Sequence, residues 1–326
     1  MTDPIQPNSD RREPLRTPEF SGSPEGAPPV WLKVVPFFLS AALFFSGFFS
    51  VFAPLPLLVV ASRSRRPWAW LAIITNAALV WGLAGPFSSS LYLVLIGVLA
   101  VALPEFLKAR FSLSKSVGLT LLSVLLAGAG ALAVYAWIHH INPLVELRTQ
   151  VEANLKSLVD SLSPEARTSW FGTEEDASFD DIRKTVMTEL PSALGIVVLA
   201  LVWTNLLLLL RLNPGRIRER IGVEVGFFRG WKTPEWLVWP AIVSGILLIF
   251  DLGPASVVAL NLFKFLMAVY ALQGLSILGF FFDVWKVRGF FRSVGYAISL
   301  LVMLPLLLSL GFFDLWFDFR SKLRQS

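Results

Sequence analysis

The chain contains no cysteine, which excludes disulfides, thiolate metal sites and cysteine nucleophiles together. Histidine occurs only twice, at the adjacent positions His139 and His140. Neighbours on a helix point about 100° apart, so this pair cannot ligate one ion as an i, i+4 pair would. Interfacial anchoring is the simpler use for it. Charge is scarce too: 16% of the 326 residues are Asp, Glu, Lys or Arg, against about 25% in soluble domains. No nucleophile elbow with a partnered base is present. The stretch "GAGAL" at 128–132 is no phosphate loop, because it lies inside an apolar run with no Lys-Ser/Thr after it. Small residues there permit close helix contact instead. Enzyme chemistry and a cofactor are therefore not expected.

What is abundant is apolar length. Hydrophobic residues make up 55% of the chain. Apolar segments fall at about 34–60, 67–84, 88–106, 116–138, 191–211, 235–251, 255–283 and 292–312, most of them long enough to cross a bilayer core as helices. The expected fold is all-α, a polytopic transmembrane bundle of about eight spans over 31–312. Its principal partner is the lipid bilayer. Residues 1–30 are polar and proline-rich, without a cleavable signal pattern, and read as a disordered tail. Residues 313–326 read as an interfacial C-terminal segment.

The net charge of +5 does not imply nucleic-acid binding, because the basic residues sit in short connections between apolar runs. Arg63, Arg65 and Arg66 fill one; Lys108, Arg110 and Lys115 another. Arg211, Arg216, Arg218, Arg220, Arg229 and Lys232 fill a third, and Lys286, Arg288 and Arg292 a fourth. The alternate connections 85–87 and 252–254 carry no Lys or Arg, and 139–190 has ten acidic residues against five basic. The positive-inside rule then makes 61–66, 107–115, 212–233 and 284–291 cytoplasmic and 139–190 extracytoplasmic. That topology is the one expected of a multi-pass protein in a cytoplasmic membrane.

Both ends conflict with this alternation. A single crossing by 34–60 would put Arg11, Arg12 and Arg16 outside. Pro54 and Pro56 in "FAPLPLLVV" favour a broken element instead, 34–51 outward and 52–62 returning, which makes nine apolar pieces. Parity also puts the C-tail outside, although it carries Arg320, Lys322 and Arg324. Trp31, Trp68, Trp81, Trp137, Trp231, Trp236, Trp285 and Trp316 fall near proposed membrane edges, whereas Trp203 lies mid-segment and is expected to pack.

The outer connection has helical periodicity. Leu144, Val151, Leu155, Leu158 and Leu162 share one face, with Asn142 as cap and Pro143 as first residue. A second amphipathic helix is expected at about 178–190, capped by Ser178 and carrying Phe179, Ile182, Val186 and Leu190. The pair forms either a lid over an outer cavity or a plain helical cap.

Polar residues inside spans are the strongest functional signal, because hydrocarbon penalises them unless they have partners. Asn261, Lys264 and Gln273 lie in one segment, with Lys264 about 13 Å from its start. Asn76, Thr204, Asn205 and Glu105 are further candidates. One reading is a polar cavity for a small ligand or ion; the other is snorkelling by Lys264 and interhelical bonding by the amides. In a cavity Lys264 needs an acidic partner, and Asp251 across the 252–254 turn is the expected one.

In "YALQGLSILGFFFDVWK" (270–286) and "LGFFDLWFDFR" (310–320) the chain resembles the YybS-like family of bacterial membrane proteins. The matching residues are Leu272, Gln273, Gly274 and Leu275, then Gly311, Asp314, Trp316, Asp318, Phe319 and Arg320. The resemblance covers about 34–323. It implies a distant relation to the substrate-binding S components of energy-coupling-factor transporters and to a rod-shape membrane scaffold, and it assigns no binding residues. Transport would then require membrane or ATPase partner subunits, since this chain has no ATPase motif. The alternative is a scaffold organising cell-envelope proteins. Within the closing motif Asp318 can reach Lys322 at i+4, while Asp314, one turn earlier, needs another partner.

Overall fold

The computed structural model describes residues 35–63, 66–109, 111–163, 165, 175–212, 227–250 and 252–324. The N-terminal tail, Trp31, Arg65, Arg110, most of the 212–233 connection and Asp251 lie outside that set. All regular elements among the described residues are helical. Among the described residues four helical stretches are long and apolar enough to cross a membrane: Pro67–Lys108, Leu113–His139, Asp180–Leu212 and Pro254–Val284. A fifth arises if Gly289–Leu301 and Leu304–Phe317, bent by 93°, count as one. The expectation of about eight spans is thus met only for the longest segments.

The first apolar run is broken. Helix α1 (Pro36–Phe45) ends before Gly47, whose φ of 67° few other residues adopt. A 3-10 turn (Phe48–Phe52) leads to α2 (Pro54–Arg63). Pro54 and Pro56 both lie in the first turn of α2, where a missing N–H breaks no helical bond. The chain has doubled back: the buried Ser40 hydroxyl donates to Ala53 O at 2.6 Å and lies 2.7 Å from Tyr92 OH. Phe37 meets Trp68 edge-on, with centroids 6.4 Å apart, so the chain enters beside the start of the next helix. The return therefore begins at Gly47, earlier than the prolines alone suggest.

Helix α3 (Arg66–Tyr92) continues through a π turn (Leu93–Gly97) into α4 (Val98–Lys108). It is not one straight rod. Gly85 is non-helical (φ 81°) and Pro86 follows it. Ser89 Oγ donates to Ala77 O at 3.0 Å, and a Cβ on Gly97 would lie 3.4 Å from Ile73 Cγ2. A straight helix would separate Ile73 and Gly97 by about 36 Å. Residues 66–84 and 86–108 therefore form two antiparallel legs, as the separate apolar runs imply.

Helix α5 (Leu113–His139) is capped by the Ser112 side chain, which accepts from the Lys115 N–H, and closes at the left-handed His140. Helix α6 (Pro143–Asp160) has the expected cap: Asn142 Oδ1 accepts from the Val145 N–H at 3.4 Å. Helix α7 runs unbroken from Glu175 to Leu212. The separate 178–190 helix is thus absent; Ser178 lies within α7, and Pro191 sits inside it rather than ending it. Helix α6 and the first turns of α7 pack together, with Arg183 Nη1 3.1 Å from Glu152 Oε1.

A short helix α8 (Phe227–Gly230) precedes a 3-10 turn (Glu235–Leu237) and α9 (Val238–Leu247), which is shorter than the apolar run containing it. Helix α10 (Pro254–Val284) contacts α7, α9 and, most extensively, α12. Then come α11 (Gly289–Leu301), α12 (Leu304–Phe317) and α13 (Phe319–Arg324). The main core joins Leu58 of α2, Leu99 and Leu103 of α4, Val117 of α5, Leu206 and Leu209 of α7, and Trp231. Trp231 is thus no membrane-edge anchor. It is buried with its ring centroid 4.7 Å from that of Trp203, which packs as its position implies.

The bend between α11 and α12 turns the C-terminus back on the bundle. Lys232 Nζ lies 3.0 Å from Asp318 Oδ1, and Arg320 Nη1 donates to Trp231 O at 2.9 Å. Residues 318–320 therefore occupy the same end of the bundle as 229–232. Counting 292–312 as a full crossing would have put them at opposite ends.

Candidate functional site

Helix α10 carries polar groups at two levels. At the level nearer the start of α10, Asn261 and Lys264, three residues apart, face α7 where Pro191 interrupts its backbone bonding. Proline has no N–H, and its ring strains the preceding turn. The Asn261 carboxamide fits there: Oδ1 accepts from the Ser192 N–H at 2.8 Å, and Nδ2 donates to Thr188 O at 2.7 Å and to Val257 O at 2.9 Å. One side chain thus bonds both ends of the 188–192 rung. Lys264 pairs with Glu189 of the same turn. Their side chains are 37% and 35% exposed, so the pair is open on one side. Glu189 therefore takes the role expected of Asp251, which lies outside the described residues.

Gln273 does not join this group, being nine residues, or about 13 Å, further along the helix. Its Oε1 accepts from the Thr233 N–H at 2.9 Å, and its Nε2 donates to Asp314 Oδ2 at 3.0 Å. Asp314 Oδ2 also takes Arg320 Nη2 at 2.6 Å, and Oδ1 takes the Phe319 N–H at 3.1 Å. Arg320 Nη1 donates to Trp231 O and to Arg229 O, the latter at 3.2 Å. Side-chain exposures are 0% for Asp314 and 5% for Arg320. Removing both charges from water costs several kcal/mol each, and these surrounding donors and acceptors offset that cost. Arg320 Nε and the buried Thr233 Oγ1 have no bonding partner among the described residues.

Two glycines permit this approach. A Cβ on Gly274 would lie 2.1 Å from Leu307 O, and one on Gly311 would lie 1.9 Å from Tyr270 O. The two sequence motifs are therefore halves of one junction, in which Gly274, Gly311, Asp314 and Arg320 meet. Trp316 stays outside it, exposed. Asp318, in a left-handed conformation (φ 37°), closes α12 and pairs with Lys232. The Lys322 side chain lies outside the described set. Lys232 and its short surface hydrogen bond hold the Asp318 carboxyl below the ordinary aspartate range.

The other amides follow the pattern of Asn261. Asn76 Oδ1 accepts from the Ala41 N–H at 2.8 Å, while Nδ2 donates to Ala72 O and Pro36 O. Asn205 Nδ2 donates to Leu201 O and Val51 O, both at 2.8 Å. Each thus bonds the carbonyl four residues back and reaches a neighbouring backbone segment. Glu105 pairs locally with Lys108 at 3.0 Å.

Sequence reasoning missed Glu189, since it assigned that residue to an outer helix rather than to Lys264. It also missed Asp283, whose two carboxylate oxygens lie 2.6 Å from Arg229 Nη1 and 2.6 Å from Arg292 Nη1. A lone acid at the end of an apolar helix, flanked by basic connections, was the available signal. Among the described residues no three His, Cys, Asp or Glu side chains are grouped as a metal site requires.

No curated protein matches the chain, and no solved structure does. A family model does: DUF2232, described as a predicted membrane protein, aligns with residues 32–315. That match takes in the polar residues of α10 and, of the closing motif, Gly311 and Asp314 but not Trp316, Asp318, Phe319 or Arg320, and the chain belongs to the DUF2232 family of predicted membrane proteins.

Proposed function

We propose that this protein is a non-enzymatic, multi-pass subunit of a bacterial cytoplasmic membrane that binds a small polar molecule through the outer half of its bundle. The observation that carries this reading is the difference between the two levels of α10. Asp314, Arg320 and Gln273 are buried and bonded together, whereas Lys264 and Glu189 remain about one-third exposed. Ionisable groups within membrane helices face a protein interior or water, not lipid. A ligand bearing both an acidic and a basic group could exchange with this pair, its acid on Lys264 and its base on Glu189. The YybS-like motif and its relation to S components support the same role, with energy supplied by ATPase partner subunits. The Lys/Arg alternation supports cytoplasmic basic connections and an extracytoplasmic 139–190.

The scaffold reading has its own support, because Asn76, Asn205, Asn261 and Gln273 are all used in bonds between segments. Extraction of the protein in native lipid discs, followed by mass spectrometry of proteins and small molecules, separates the two. A co-purifying ATPase and a metabolite lost in Lys264→Met support the binding subunit. Cell-envelope assembly proteins without any such metabolite support the scaffold.

A further inference from the structure

The opposite end of α10 carries a second charged cluster, remote from Lys264. Asp283 is shared by Arg229 and Arg292, so one carboxylate faces two guanidiniums. The second terminal nitrogen of Arg292 is used by Gly279 O at 3.1 Å and Tyr296 OH at 3.3 Å. Arg229 is half exposed and, among the described residues, has only Asp283 as a side-chain partner. Lys286 and Arg288 follow within five residues, exposed and, among the described residues, without an ion-pair partner. Two guanidiniums therefore share one carboxylate, two further cations follow it in the chain, and the Lys232–Asp318 pair is neutral.

The apolar surroundings belong to the same turn. Trp285, Phe290 and Phe291 are exposed, the two phenylalanines at 75% each. They flank the basic residues where the long apolar helix ends and the amphipathic α11 begins, at 93° to α12. Positive groups beside exposed rings at a helix end match a phosphate headgroup with its acyl chains alongside. Lys286 has a further property: it adopts φ 55° at the close of α10, while Val287 N–H bonds back to Phe282 O at 2.8 Å. Glycine is the usual occupant of such a closing position, and a side chain there is mildly strained.

From this geometry we propose that Arg229, Lys286, Arg288 and Arg292 form a binding site for the phosphate headgroup of an anionic phospholipid. The residual charge of Arg229 and the two unpaired cations supply attraction, and the rings supply the acyl-chain side.

The test is a lipid competition on the full-length protein, with phosphatidylglycerol and phosphatidylcholine at equal concentration and bound lipid counted by native mass spectrometry. The wild type should prefer phosphatidylglycerol. Lys286→Gly should lower that preference roughly fivefold, as expected for one basic residue at an anionic surface. Its melting temperature should be unchanged or higher, because glycine relieves the left-handed strain. Arg288→Gln should lower the preference by a similar factor. Equal retention of the two lipids by the wild type would overturn the proposal, and so would an undiminished preference in both variants. Displacement of bound phosphatidylglycerol by equimolar inorganic phosphate would show a free-anion site and overturn it as well.

Discussion

Asp314 and Arg320 form a 2.6 Å ion pair from which water is excluded, and each is also bonded to a different part of the bundle. Asp314 is bonded to Gln273 of α10, and Arg320 to the carbonyls of Arg229 in α8 and Trp231 just after it. The end of the chain is thereby fastened to both. Removing one partner leaves the other charged, buried and uncompensated.

Arg320→Met and Asp314→Asn should each destabilise the detergent-solubilised protein by about 3–5 kcal/mol. The combined variant should lose less than the sum of the two, measured as thermal unfolding. Additive losses would show that the two side chains act independently.

The glycine junction makes a steric prediction. Gly311→Ala and Gly274→Ala place a methyl group against backbone oxygen, so α10 and α12 must separate, at a cost of about 1–3 kcal/mol or more. Gly82→Ala is the control, because nothing lies within 4 Å of its added Cβ. It should be neutral or stabilising by up to about 1 kcal/mol. Equal melting temperatures for all three variants would contradict the close contact.

Much of this architecture is legible in the sequence, and the limits have physical causes. Apolar length and the Asn142-Pro143 start depend on local chemistry, and both appear where expected. Breaks are harder to place: Pro54 and Pro56 start α2, so the reversal lies seven residues before Pro54, at Gly47. Partners across helices are harder still. Lys264 finds Glu189, distant in sequence, because Pro191 and Asn261 bring that turn of α7 against α10. Trp231 looks like an interfacial residue by position, yet the return of α8 onto the core buries it beside Trp203.

The Lys264–Glu189 pair should show measurable but modest coupling. A cycle of Lys264→Met and Glu189→Gln should give an interaction energy of about 1 kcal/mol or less, since both groups are partly solvated. In the corresponding cycle Lys264→Met and Asp251→Asn should be additive. Coupling to Asp251 instead of Glu189 would reverse the assignment.

The Lys232–Asp318 pair sets a pH dependence. The hydrogen bond from Lys232 lowers the Asp318 carboxyl in the folded protein. Its contribution is therefore complete above the unfolded aspartate value of about 3.9 and is lost as pH falls through the lower folded value. Wild type and Asp318→Asn should differ by a constant amount from pH 5 to 8, and their melting temperatures should converge only at more acidic pH. Convergence already near neutral pH would contradict this sign.

The most direct measurement asks on which side the chain ends. Because the protein has no cysteine, Lys232→Cys and Ser326→Cys can each serve as a single label site. With a membrane-impermeant maleimide on sealed vesicles of both orientations, the account predicts that the two positions label from the same face. Labelling from opposite faces would mean that 292–312 crosses the membrane fully, and would contradict the C-terminal fastening.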